Sequence, residues 1–250
     1  MSEISENPPV TIGVLALQGS FREHCKVLSS IPGVEAIEIR TDAQLKLIDG
    51  LIIPGGESTT MALIAQQWGL LPELQAFART GKPIWGTCAG LIFLASSCIG
   101  QKKGGQALIG GLDVVVHRNF FGSQINSFET KLTCPSNFPE APGFDGDFRA
   151  IFIRAPAIVQ HGPEVEVLAT YTLSEAERQQ AGVDSVAVAV RQGVLMATAF
   201  HPEVTADPRW HLMFVEMVRG QAKRERRAAA AADGAVAAAR GVRPADLPVY

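Results

Sequence analysis

The chain is short of cysteine, of aromatic residues and of charge, and it has no long apolar run. Its four cysteines in 250 residues, Cys25, Cys88, Cys98 and Cys134, are too scattered for a disulfide framework, and no C-x-x-C pair suggests a zinc site. Aromatic residues make up 7% and charged residues 19%, and Lys+Arg 22 against Asp+Glu 25 leaves a net charge of -3. That balance lacks the basic field of a general nucleic-acid binder. The longest apolar-rich run, Cys88 to Ile99, falls short of the roughly 20 residues that a membrane span needs. Met1 to Pro9 is polar and acidic, without the basic and apolar regions of a secretory signal. The expectation is therefore no nucleic acid, no membrane, no metal and no cofactor, with a reducing cytoplasmic setting as the simplest one.

What is present is a globular composition, 47% hydrophobic. A single domain of this size buries roughly 70–75% of its unfolded surface, so it needs no staple. Val10 to Leu17 is a nearly continuous apolar run, the pattern of a strand buried on both faces. Val34 to Ile39, Gly50 to Ile53 and Pro83 to Gly86 are further strand candidates. Helices are expected from Ser20 to about Ser30, with Ser20 and Glu23 forming a capping box, and over Ser58–Trp68, Leu70–Thr80 and Ala89–Cys98. Such alternation predicts an α/β fold with a parallel sheet covered on both faces. After about Gly100 the segments Asp113–Val116, Ser127–Cys134, Phe148–Ile153, Val165–Thr170, Ser185–Val190 and Leu195–Ala199 read as strands with few helices between, an antiparallel extension of the sheet. Asp207 to Arg219 reads as a closing helix. Three parts result: an N-terminal tail over 1–9, one domain over 10–220, and an Ala-rich, flexible C-terminal tail over 221–250 whose start, Lys223–Arg227 and the following alanines, can extend the last helix.

The sharpest chemical signal is Gly86-Thr87-Cys88-Ala89-Gly90, placed where a strand passes directly into a helix. It is a G-x-nucleophile-x-G elbow with cysteine in the nucleophile's place. The glycines leave room for a tight turn that lifts the sulfur clear of the sheet, and a helix N-terminus aimed at a thiol favours the thiolate. The backbone N–H of Ala89 is then placed to donate to an oxyanion. A thiol nucleophile wants a base and a group to orient it. Phe200-His201-Pro202-Glu203 supplies both just after the apolar strand Leu195–Ala199, with Pro202 stiffening the link. Cys88 and His201 both follow strands, so they can meet at the carboxyl rim of the sheet. Pro54-Gly55-Gly56-Glu57-Ser58 is the third element. Its paired glycines allow close backbone approach and an oxyanion hole. The rival reading of a phosphate loop lacks a G-x-x-x-x-G-K-[ST] or G-x-G-x-x-G pattern. Cys25, Cys98 and Cys134 read as core or half-buried thiols, and Trp68 and Trp85 as core. Trp210 reads as covering a helix face, and His24 as a partner contact or a local helix contact.

Taken together, these segments resemble the class I (triad) glutamine amidotransferases. Leu17-Gln18-Gly19 with Arg22-Glu23-His24, Pro54 to Met61, Gly86 to Leu91, His117-Arg118-Asn119, Phe152 to Pro156 and Phe200 to Glu203 are similar to the glutaminase subunit of pyridoxal 5′-phosphate synthase, the Pdx2/PdxT family. The likeness spans roughly Val10 to Val218. The long form ending Asp246-Leu-Pro-Val-Tyr250 looks like plant or algal members, while Leu173–Asp184 matches less well.

That resemblance implies a flavodoxin-like, three-layer fold with Cys88, His201 and Glu203 as the catalytic triad. It implies L-glutamine contacts at Gly56, Glu57, Ser58, Arg118, Ile153 and Arg154, with an oxyanion hole from Gly56 and Ala89. The α-carboxylate of glutamine suits Arg118 or Arg154, and its α-ammonium suits Glu57. The resemblance further implies that ammonia passes to a (β/α)8 synthase subunit of the Pdx1 type in a large hetero-oligomer. A flip of the Gly55–Gly56 peptide is a physical route for partner gating, with Gln18 as a candidate lever. A γ-glutamyl hydrolase, a glutaminase serving another synthase and a non-catalytic glutamine sensor are the alternatives.

Overall fold

The computed structural model describes residues 8–100, 105–118, 120–121 and 127–241, with 233–241 as backbone alone. The first half alternates strands and helices: β1 (Val10–Leu15), α1 (Phe21–Ser29), β2 (Val34–Ile39), α2 (Asp42–Leu45), β3 (Gly50–Ile53), α3 (Ser58–Gln67), α4 (Leu71–Ala78), β4 (Ile84–Thr87) and α5 (Ala89–Leu94). The second half is richer in strands: β5 (Ala95–Ile99), β6 (Leu112–His117), β7 (Ser127–Leu132), β8 (Phe148–Ile153), β9 (Ala157–His161) and β10 (Glu166–Thr172). It closes with α6 (Glu175–Ala181), β11 (Ser185–Gln192), β12 (Leu195–Thr198), a 3-10 turn over Pro202–Val204 and α7 (Arg209–Gly241).

The main sheet runs β2-β1-β3-β4-β12-β11-β9-β6-β5, with β10 paired to β11. The strands β2, β1, β3, β4 and β12 are mutually parallel. Every residue of β3, β4 and β12 is buried, which is what their unbroken apolar runs dictate. Beyond β12 the pairings β12–β11, β11–β9, β11–β10 and β9–β6 are antiparallel, the extension expected from the strand-rich second half. Strand β5 lies parallel to β6, and β7 pairs β8 in a separate small sheet. The fold is thus α/β with a mostly parallel central sheet. Strand order reverses at β1, and parallel crossovers are right-handed, so α1 covers one face while α3 and α4 cover the other. Helix α7 joins α1: the Trp85 ring on β4 meets His24 of α1 and both His211 and Phe214 of α7.

Several expectations change. The helix read as Ala89–Cys98 stops at Leu94, because Ser96 and Ser97 interrupt its apolar face and Ser96 Oγ donates to Val114 O at 2.8 Å on β6. Helix α6 was not expected, although Ser174 and Glu177 form a complete capping box. Strand β9 was not expected either. The closing helix runs past Arg219 to Gly241, so much of the segment read as a tail is helical, in line with the high helix propensity of alanine. Residues 1–7 and 242–250 of the expected tails lie outside the described residues. Trp68, expected in the core, is 57% exposed at the end of α3, where Gly69 turns the chain away; Trp85 is buried as expected. Trp210 does more than cover a helix face: it is buried among Phe138, Phe148 and Phe200.

The strand–helix junction depends on two glycines. A Cβ on Gly86 would lie 2.4 Å from Gly90 O, and one on Gly90 would lie 2.0 Å from Ile53 O. Neither carbonyl can swing away without disturbing β3 or α5. Gly90→Ala gains about 1 kcal/mol of helix propensity, but overpacking against rigid backbone costs about 1–3 kcal/mol. The expected outcome is a net loss, read as a lower denaturant midpoint at unchanged m-value; an unchanged or higher midpoint contradicts it.

Candidate active site

Four parallel strands end at one rim of the sheet, the place where open α/β folds bind ligands. After β1 come Gln18 to Ser20, after β3 the turn Gly55 to Glu57, after β4 Cys88, and after β12 His201. Cys88 sits at the elbow with φ 47° and ψ -100°, a strained conformation for a residue with a Cβ. Its N–H donates to Thr198 O at 2.8 Å, which ties the elbow to β12. Its sulfur lies 3.9 Å from Ile153 O. Arg154, the next residue along from Ile153, is the other described non-glycine residue with positive φ, at 45°.

The His201 ring feels the Cys88 sulfur on one side and bonds Glu203 Oε1 on the other through Nδ1 at 2.7 Å. Gly55 leaves room for that ring, since a Cβ there would lie 2.2 Å from His201 Cε1. Burial by itself lowers the His201 pKa, but the Cys88 sulfur, by charge and hydrogen bond, and the Glu203 carboxylate raise it to about 10. Glu203 is 5% exposed. Burial favours its neutral form, yet His24, His201 and the Ser20 hydroxyl outweigh that and hold its carboxyl at about 2. An imidazolium between a thiol and a buried carboxylate can sustain a thiolate nucleophile and deliver a proton to a leaving group.

A cavity of about 370 Å³ opens on this line. Its walls carry Gly56, Glu57, Ser58, Ala89, Arg118, Ile153 and Arg154 together with Gln18, Cys88 and His201. The expected nucleophile, base, glutamine contacts, oxyanion-hole residues and lever therefore line one cavity, while Glu203 is bonded behind the His201 ring; Asn119 of the His117-Arg118-Asn119 run lies outside the described residues. Glu57 caps α3, accepting from the N–H of Thr59 (3.2 Å) and Thr60 (2.6 Å), and from Arg118 Nη2 at 2.9 Å. Burial opposes its charge, but Thr60, Thr59 and Arg118 hold the carboxyl at about 2. Larger clefts exist, of about 490, 520, 630 and 760 Å³, but the first three have no cysteine in their walls. The fourth holds Cys134, whose thiol burial pushes up, with no histidine beside it.

Four further residues, Ser20, His24, Gln106 and His211, were not singled out as parts of the site. Ser20 makes no capping bond to α1; its Oγ donates to Glu203 Oε1 at 2.6 Å, and its N–H donates to Gly55 O at 3.0 Å. One residue thus ties the carboxylate to the glycine turn. Gln18 Oε1 accepts from Glu57 N–H at 2.7 Å on the other side of that turn. Gln106 Oε1 accepts from Ser58 Oγ at 2.9 Å and from Arg118 Nη1 at 3.4 Å. His24 is fully buried, so it makes no surface contact with a partner, and it lies against Glu203 and His211. The sequence signal for Ser20 and His24 was their place in the run Leu17 to His24; nothing marked His211 or Gln106.

This chain belongs to the SNO glutamine amidotransferase family, whose model matches residues 14–220. It is 52% identical over 222 residues to a protein of Arabidopsis thaliana named probable pyridoxal 5'-phosphate synthase subunit PDX2, covering 84% of this chain and 86% of that one. It is 46% identical over 209 residues to pyridoxal 5'-phosphate synthase subunit PdxT of Frankia alni, covering 83% and 94%. Among solved structures, a crystal structure of a glutamine amidotransferase aligns with TM-score 0.69 at 40% identity, covering 83% of this chain and 98% of that one.

Because the Glu203 carboxyl is held below its ordinary value, its contribution to stability is complete above about pH 4.5 and is lost as the pH falls towards 2. The difference in unfolding free energy between wild type and Glu203→Gln is expected to be constant between about pH 4.5 and 6.5 and to shrink below it; it shrinks again towards pH 10, where the His201 charge that Glu203 supports is lost. A difference that does not shrink on acidification contradicts the assigned charge.

Proposed function

We propose that Cys88, His201 and Glu203 are the triad through which this glutaminase subunit of pyridoxal 5'-phosphate synthase hydrolyses L-glutamine to L-glutamate and ammonia. The observation that carries the reading is that Cys88 and His201 line one cavity and that the His201 ring is bonded at 2.7 Å to the buried Glu203 carboxylate. The Cys88 thiolate attacks the side-chain amide carbon of glutamine. The oxyanion is held by the N–H of Ala89 and that of Gly56. His201 gives its proton to the departing ammonia as the C–N bond breaks, leaving a γ-glutamyl thioester. His201 then takes a proton from water, which attacks the thioester, and the thiolate leaves with release of glutamate.

The cavity walls suit the two ends of free glutamine. Arg118 or Arg154 pairs with its α-carboxylate and Glu57 with its α-ammonium, while Ser58 and Ile153 line its path. In the ligand-free state Arg118 and Glu57 are bonded to one another, so substrate exchanges their partners rather than creating charge. Gln18 is the candidate lever on the oxyanion turn: it holds Glu57 N–H while Ser20 holds Gly55 O. A trans peptide sets its N–H antiparallel to its C=O, so a flip at Gly55–Gly56 has to break the Ser20 bond.

Ammonia is useful as a nucleophile only while unprotonated, and release into neutral water protonates most of it. We therefore place this chain against a (β/α)8 synthase subunit of the Pdx1 type in a hetero-oligomer that receives the ammonia directly, in the cytoplasm. The four free thiols and the absence, among the described residues, of a helix long and apolar enough to cross a membrane agree with that setting.

Two experiments test the reading. Cys88→Ala is expected to lower glutamine hydrolysis by at least about 10³-fold, as loss of a triad nucleophile does, while Arg118→Ala raises KM about ten- to hundredfold with a much smaller change in kcat. Retained hydrolysis in Cys88→Ala sinks the nucleophile assignment. Adding the barrel subunit is expected to raise the glutaminase rate, and equal rates with and without it sink the gating.

A further inference from the structure

Behind the triad lie two buried histidines that the reaction as written does not use. His24 on α1 and His211 on α7 are both fully buried. His24 Nε2 lies 3.4 Å from Glu203 Oε2 and 3.2 Å from Thr87 Oγ1, and His24 Nδ1 lies 2.9 Å from His211 Nε2. Both rings meet the Trp85 ring edge-on, at 5.6 and 5.0 Å. Glu203 Oε1 is already taken by His201 and Ser20, whereas Oε2 has no hydrogen-bond partner and is faced at 3.4 Å by His24 Nε2.

The proton positions along this row follow from bonding rules. A lone pair turned towards an ionised carboxylate is repelled by it, so the hydrogen belongs on His24 Nε2, where it bonds Thr87 Oγ1 and passes 3.4 Å from Oε2. Burial keeps both rings neutral, and a neutral imidazole carries one N–H. His24 Nδ1 is therefore an acceptor, and His211 Nε2–H must donate to it. That leaves His211 Nδ1 as a bare lone pair, and it is the ring nitrogen without a hydrogen-bond partner. The opposite arrangement strands an N–H there and turns a lone pair towards the carboxylate.

We propose that His24 is a positioning residue for the reaction: its Nε2–H, shared with Thr87 Oγ1, supports the otherwise unpartnered second oxygen of Glu203 across 3.4 Å, and His211 locks His24 in the tautomer that can do so. The inference rests on Cys88, His201 and Glu203 being the triad. The charged and titratable groups around the carboxylate are His201 from the 3-10 turn, His24 from α1 and His211 from α7, with Glu23 acting on His24 from its own helix. With the second oxygen released, Glu203 grips the His201 imidazolium less firmly, and His201 gives up its proton at lower pH.

The test measures glutamine hydrolysis by the full-length chain mixed with the barrel subunit, and labelling of Cys88 by a glutamine-analogue diazoketone. The variants are His24→Leu, His24→Gln and His211→Leu. His24→Leu is expected to lose about ten- to hundredfold in kcat with little change in KM, the scale of a hydrogen bond to a charged group. The alkaline limb of its kcat profile moves down by about 0.5–1 pH unit. His24→Gln, whose amide N–H can replace Nε2–H, recovers most of both effects, and His211→Leu shows a smaller shift of the same sign. An unshifted alkaline limb in His24→Leu overturns the inference, as does a loss in His24→Gln equal to that in His24→Leu. If His24→Leu does not fold by circular dichroism, the limb in His211→Leu decides in the same way. A wild-type chain that is neither labelled nor active overturns the triad reading itself, and the inference with it.

Discussion

A single buried carboxylate holds the catalytic end of the molecule together. An ion removed from water costs several kcal/mol unless it is paired and hydrogen-bonded, and one oxygen of Glu203 is bonded from two separate parts of the chain. Ser20 bonds Glu203 Oε1 from the start of α1 and His201 from the turn after β12, while His24 on the next turn of α1 stands 3.4 Å from the unpartnered Oε2. Those bonds bring the ends of β1 and β12 together across β3 and β4. The same Ser20 that satisfies the carboxylate anchors Gly55 O, so the charge and the oxyanion turn share a support. The cost of leaving this carboxylate unpaired is what keeps the imidazole pointed at the sulfur.

The mouth of the cavity follows the opposite rule. Arg118 and Glu57 are paired there at 2.9 Å, with side chains 21% and 43% exposed. An ion pair that wet contributes about 0–1 kcal/mol, so a zwitterionic ligand can separate it at little cost. Deep groups that must not move are buried and multiply bonded, and groups that must exchange partners are left near water. One cavity thus combines a rigid floor with an adaptable rim.

Much of this was legible in the residues alone. The buried parallel strands came from unbroken apolar runs, and the elbow at Cys88 from two glycines that a tight strand–helix passage requires. The misreadings have physical causes. Ser20 and Glu23 fit the pattern of a helix cap, but a buried carboxylate is a stronger claimant for a hydroxyl than an exposed helix end. Ala89 to Cys98 looked like one helix because edge-strand β5 shares its apolar start. His24 looked like a surface residue because nothing local shows that α7 folds over it.

What the sequence by itself determined is local: where chains of apolar residues must bury, where a backbone must turn too tightly for a side chain, and which chemistry the turn residues carry. Only the tertiary structure decided which oxygen of Glu203 meets which donor, that His211 stands behind His24, and that Arg118 already holds Glu57. Those outcomes join residues up to 187 positions apart. They depend on how two layers of helices close over a twisted sheet, which no spacing along the chain encodes.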